Sequence, residues 1–179
     1  MLNPPLPRHS VDPRKLASQG VEIHAVEVVS SFDRLAGLLA NEQGELTIDL
    51  AFRRDESNLV CIDGHIAGVL QIPCQRCLEA MPLTVDSHFQ IAVVKDDEQA
   101  TRIPRAYEPV IVDEEGLELL PMIEDELILC VPYTNYHEPE HCAVKLIPPD
   151  EEESDDTPPE RNNPFTVLAA LKQKNGDKT

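Results

Sequence analysis

Tryptophan is absent, and four phenylalanines with three tyrosines bring the aromatic content to only 4%. A single-strand RNA groove needs aromatic platforms interleaved with bases, and a chain this poor in both offers no such stripe. There is no apolar run of the roughly eighteen residues that a membrane helix requires. The opening "MLNPPLPRHSVDPRK" lacks the apolar core of a secretory signal, so the expected compartment is the cytoplasm, with no membrane contact. Gly-rich phosphate loops, H-E-x-x-H and nucleophile elbows are also missing. Nothing in the pattern points to an enzyme.

What the chain has in excess is acid. Its 179 residues carry a formal charge of −18, and the distribution is uneven. Residues 1–95 hold 12 acids and 8 bases, whereas residues 96–179 hold 21 acids and 7 bases. Such a field repels nucleic-acid phosphates at long range and favours basic partners. Five cysteines without an export signal read as free thiols or metal ligands, and their odd number argues against a disulfide framework.

Along the chain, "DPRKLASQG" predicts a short helix, with Asp12 as N-cap, Pro13 in the first turn and Gly20 past the end. "VEIHAVEV" reads as a strand. "SSFDRLAGLLANE" predicts a second helix, because Ser30 and Asp33 have capping-box spacing and Phe32, Leu35, Leu38 and Leu39 share a face. From residue 44 the period becomes two. Leu46, Ile48, Leu50 and Phe52 alternate in one strand, Val60, Ile62, Ile66, Leu70 and Ile72 in the next, and Leu83, Val85, Phe89, Ile91 and Val93 in a third. Polar "RRDESN" joins the first two as a hairpin. The fold class is therefore α+β: an antiparallel meander, open or barrel-like, with short packing helices.

Residues 95–106 read as a polar loop and "YEPVIVDEEG" as a short strand and turn. "LELLPMIEDELILCVP" recovers helical spacing through Leu120, Ile123, Leu127 and Val131, with Pro121 admissible only in the first turn. Residues 1–149 then form one domain. Residues 150–163, "DEEESDDTPPERNN", have no apolar side chain to bury and read as a disordered acidic linker. Residues 164–174 close as an amphipathic helix with Asn163 as N-cap, Pro164 in the first turn, and Phe165, Leu168 and Leu171 on one face.

The chemistry-bearing motif is "IPCQRCLEAMP". A C-x-x-C turn supplies two of the four ligands of a tetrahedral zinc site, and the second pair would come from "HEPEHC", with Cys142 joined by His137 or His141. The competing reading is a tight turn that merely holds two thiols. A redox pair would open a helix, and Pro82 interrupts one. Cys130 falls on the apolar side of its helix and reads as core. His65 and His88 lie on strand faces opposite the apolar set, as exposed imidazoles. Arg53, Arg54 and Arg76 would form an RNA-contacting patch if the hairpin tips bearing them met at one end of the sheet.

Three segments in order, "CQRCLEAM", "AYEPVIVDEEGLELLPMIEDELILCVPYTNYHEPEHC" and "NPFTVLAALK", resemble the bacterial YceD family of large ribosomal RNA subunit accumulation proteins. The resemblance spans residues 44 to 173. It implies a non-enzymatic role in the synthesis, processing or stability of 23S ribosomal RNA, with a basic ribosomal protein or assembly factor of the large subunit as partner. In that setting Asn163, Pro164, Phe165, Leu168 and Leu171 would be partner-binding residues. Other branches of the family carry extra cysteines near the segment equivalent to "HEPEHC". A structural zinc is therefore a cofactor the resemblance allows, and direct contact with ribosomal RNA is the alternative to a protein partner.

Overall fold

The computed structural model describes residues 4–144. Residues 145–179 lie outside the described residues, and with them the expected linker and C-terminal helix.

Local chemistry accounts for the first element. Helix α1 (Pro13–Gln19) begins where the Asp12 carboxylate accepts from the backbone N–H groups of Arg14 at 2.9 Å and Lys15 at 3.2 Å. It ends where Gly20, at φ +60, turns the chain and returns its N–H to the Ala17 carbonyl. A side chain with a Cβ pays a steric penalty in that left-handed region, which glycine avoids.

Four strands follow as an antiparallel meander: β1 (Glu22–Val28), β2 (Glu45–Arg54), β3 (Val60–Pro73) and β4 (Ala80–Val94). A fifth, β5 (Glu108–Ile111), runs parallel to the end of β4. The order is β1-β2-β3-β4-β5, so β1 and β5 are opposite edges and the sheet stays open rather than closing into a barrel. A parallel neighbour needs a crossover, and residues 95–107 provide it. That stretch, expected to be a polar loop, contains the one-turn helix α2 (Asp97–Ala100), capped by the Asp96 carboxylate accepting from the Gln99 N–H.

The period-two pattern fixes which face is dry. Leu46, Ile48, Leu50 and Phe52 of β2 are each at most 1% exposed, and Ile62, Ile66 and Leu70 of β3 are fully buried beside them. Burying each such side chain stabilises the fold by about 1.5–3 kcal/mol relative to leaving it in water. Gly64 interrupts the β3 set because the ring of its cross-strand partner Phe89 occupies the space above it.

Helix α3 (Leu119–Cys130) contributes Leu119, Met122, Ile123 and Leu127 to the same buried cluster. Leu120 and Val131 are only half-buried, so the packed face is rotated from the expected one. Cys130 is half-buried against the core.

The segment predicted as a second helix is two 3-10 turns, at Val29–Ser31 and Leu35–Leu38. Two tertiary acceptors decide this. The Glu124 carboxylate of α3 takes the N–H groups of Arg34 and Leu35, and the Gln71 carbonyl of β3 takes the N–H of Ala40. Phe32 and Leu35 are still buried, but Leu38 points outward at 40% exposure.

Pro82, which bars a helix after the cysteines, sits inside β4, opposite Gln71. The Gln71 carbonyl is already bound to Ala40, and β5 flanks β4 only at Ile91–Val94. This part of β4 is thus a sheet edge, where a residue without an N–H is tolerated.

Candidate functional site

The C-x-x-C stretch lies in the six-residue connection between β3 and β4. Cys74 N–H donates to the Glu79 carbonyl at 2.9 Å and Leu78 N–H to the Cys74 carbonyl at 2.8 Å, folding the turn around the two sulfurs. Leu78 adopts φ +63, a left-handed conformation that costs a branched side chain about 1–2 kcal/mol. No helix starts at either cysteine, as the redox reading would have required.

The chain leaving α3 comes back to this turn. Gln75 holds it there, its backbone N–H donating to the Asn135 carbonyl at 2.8 Å and its Nε2 to the Tyr133 carbonyl at 2.9 Å. His137 then lies against both cysteines. Its Nδ1 is 3.3 Å from Cys77 Sγ, and its backbone N–H donates to Cys74 Sγ at 3.4 Å. A final turn, in which the Glu138 carbonyl accepts from His141 and Cys142, carries Cys142 inward and leaves His141 exposed.

The ligand atoms of Cys74, Cys77, His137 and Cys142 all lie within 4.8 Å of one another. Tetrahedral zinc, with bonds of about 2.3 Å to sulfur and 2.0 Å to nitrogen, sets its ligands roughly 3.5–3.8 Å apart, so this set needs only small adjustments. His137 Nε2 sits 3.3 Å from the Ala80 carbonyl, the outer contact that pins a ligating imidazole and leaves Nδ1 for a metal.

The electrostatics favour the ligating form at Cys74 and oppose it at His137 and Cys142. Burial pushes the Cys74 thiol up, but the N–H groups of Cys77, His137 and Arg76 outweigh it and bring Cys74 down to about 6. The neighbouring Cys77 raises His137, while burial raises Cys142. Thiolates are the ligating form, and Cys74 reaches it near neutral pH without assistance. Among the expected ligands the geometry selects His137 over His141. Gln75, which fastens the two halves together, had no signal in the sequence beyond being one of the two residues between the cysteines.

The three arginines do not meet. Arg53 and Arg54 end β2, where Arg54 pairs with Val60 at the start of β3, and Arg76 lies beyond Pro73 at the other end. The fourteen residues of β3 separate the two sites by about 45 Å. Arg53 is bound to Asp63, Arg54 to Asn58, and the Arg76 guanidinium lies 5.3 Å from the Tyr136 ring centre.

A second feature lies between β5 and α3. A groove of about 460 Å³ has Ile91, Val110, Leu117 and Met122 among its lining and Glu108, Glu118, Asp125 and Glu126 around it. Leu129 and Ile111 border it at 71% and 52% exposure. Asp125 is paired with Arg34 at 2.6 Å, but Glu108 and Glu126 make no ion pair among the described residues. Burial, and then the negative charges of Glu108 and Asp125, push the Glu126 carboxyl up. These acids come from separate stretches of the chain. Their gathering depends on β5 lying beside α3, which periodicity does not reveal.

No solved structure matches this chain. In sequence it is 34% identical over 169 residues to the Large ribosomal RNA subunit accumulation protein YceD of Haemophilus influenzae, covering 92% of this chain and 95% of that protein. Residues 62–172, from within β3 onward, match the family described as Large ribosomal RNA subunit accumulation protein YceD, and this stretch contains Cys74, Cys77, His137 and Cys142. The chain belongs to the YceD family.

Proposed function

We propose that this chain supports the accumulation of 23S ribosomal RNA as a non-enzymatic assembly factor of the large subunit, acting through a basic protein partner. The role follows the name that its Haemophilus influenzae relative carries. The observation that carries the mode of action is the β5–α3 groove, an apolar floor ringed by carboxylates on a chain of charge −18. A basic amphipathic segment would bury its apolar side there and offset the charges of Glu108 and Asp125, which add to burial in raising Glu126. The Phe165, Leu168 and Leu171 face expected over residues 164–174 supplies a further partner contact in this reading. Cys74, Cys77, His137 and Cys142 hold a structural zinc that ties residues 133–142 to the end of the sheet.

The test is Leu129→Lys combined with Glu126→Lys, at two groove positions that face solvent wholly or in part. The variant should lose salt-sensitive co-purification of large-subunit ribosomal proteins and lower 23S RNA in cells lacking the native chain. Unchanged co-purification and RNA levels would overturn the groove assignment. A second arm deletes residues 150–179 and reads the same two quantities for the C-terminal contact.

A further inference from the structure

The outer face of the sheet carries a feature unrelated to the thiol centre or the groove. Strand register sets His24, Asp49, His65 and His88 directly opposite one another across β1, β2, β3 and β4, one residue from each strand. Three imidazoles and a carboxylate thus form a single row, and Asp86 approaches it from β4.

From this row we infer a second metal site, formed by His65, Asp86 and His88 and suited to a borderline divalent cation of the zinc class. His65 Nε2 is 2.7 Å and His88 Nε2 3.9 Å from the same oxygen, Asp86 Oδ1. One ligand atom from each of the three residues lies within 4.8 Å of the others. Two imidazole nitrogens and one carboxylate oxygen suit Zn²⁺, Ni²⁺ or Cu²⁺, while harder cations prefer all-oxygen sets. Water completes the coordination, since the face is open to solvent.

The surroundings resemble those of a ligating histidine. His65 uses Nε2 toward Asp86 while its Nδ1 lies 3.7 Å from Asp49 Oδ2, and the other oxygen of Asp49 is held by His24 Nδ1 at 2.6 Å. At 3.7 Å that carboxylate acts on the ring through its charge rather than by a hydrogen bond. His65 and His88 are stacked, with centroids 4.1 Å apart and planes 8° from parallel. Their in-plane lone pairs therefore do not yet converge, and one ring must turn to bind. His88 has that freedom, with its side chain 75% exposed and Asp86 its only close ionic neighbour among the described residues. Metal binding therefore opens the stack.

The experiment uses the untagged full chain, its thiol centre saturated with Zn²⁺ and the excess removed, titrated with further Zn²⁺ by calorimetry and followed by histidine ring NMR. One additional equivalent binds, and the His65 and His88 ring signals move as the stack opens. The double variant His65→Gln, His88→Gln loses that equivalent. Asp49→Asn, which would act on the metal only through its charge beside His65, weakens it by less than the double variant does. The result is read as the difference between native chain and double variant, so it does not depend on how much metal the thiol centre retains. No added equivalent in the native chain, or one that survives in the double variant, would overturn the site.

Discussion

Glu124 links α3 to the irregular turns at 29–38, and its replacement tests whether that carboxylate decides their shape. The side chain is only 9% exposed. Its Oε1 accepts from the backbone N–H of Arg34 at 2.6 Å and of Leu35 at 3.1 Å, and its Oε2 from Arg34 Nε at 2.7 Å. In Glu124→Ala the buried Leu35 N–H loses its acceptor, as does that of Arg34. Each unsatisfied buried donor costs about 1–3 kcal/mol, and breaking a buried ion pair typically costs about 3–5 kcal/mol. The Arg34 guanidinium is half exposed and rehydrates, which places the expected loss near the lower bound, about 3 kcal/mol. Glu124→Gln keeps an oxygen for the two N–H groups but loses the charge and turns an amide N–H toward Arg34 Nε where an acceptor stood, so about 1.5–2 kcal/mol is expected. Urea unfolding at neutral pH measures both.

The pH dependence supplies an independent check. Burial pushes the Glu124 carboxyl up, but the Arg34 side chain and the N–H groups of Leu35 and Arg34 outweigh it, leaving it below its ordinary value of 4.5. A lowered folded-state pKa contributes stability above the unfolded value, and that contribution disappears as pH falls through the folded one. The gap between native chain and Glu124→Gln should therefore be full at neutral pH and close progressively below about pH 4.5. Equal losses for the alanine and glutamine variants, or a gap unchanged down to pH 3, would refute the reasoning.

Zinc stoichiometry should separate the two histidines: His137→Ala loses the bound metal by elemental analysis, whereas His141→Ala keeps it. Chelation should raise hydrogen exchange across residues 133–142 while leaving β2 and β3 protected, because the loop is otherwise held mainly by Gln75. Gly64→Ala should cost about 1–3 kcal/mol in thermal unfolding, since its Cβ would sit 2.0 Å from the Phe89 ring. Phe89→Leu in the same chain should recover part of that loss, and no recovery would mean the strain lies elsewhere.

Much of the sheet was legible in the residue pattern. Strands β2, β3 and β4 bury the alternating residues that periodicity selects, Leu83 alone among them being half-buried, because a half-buried strand has no other way to present one face to a core. Helix α1 was equally readable, since Asp12, Pro13 and Gly20 satisfy its ends within nine residues of chain. The misjudged helix at 30–42 shows where such reading ends. Its spacing was helical, but acceptors 90 residues away at Glu124 and 31 residues away at Gln71 claimed its backbone donors.

The candidate sites divide along the same line. Residue chemistry alone marked Cys74, Cys77 and Cys142 as soft ligands and left the fourth open between His137 and His141. A turn at Glu138 and the anchoring by Gln75 made the choice, because orientation of an imidazole is set by what surrounds it. Strand direction separated Arg76 from Arg53 and Arg54, and register alone aligned His24, His65 and His88 across three different strands. Composition and period thus decided the donor types and the dry face of the sheet. Which donors converge depended on pairings between segments far apart in the chain, and no local spacing records those.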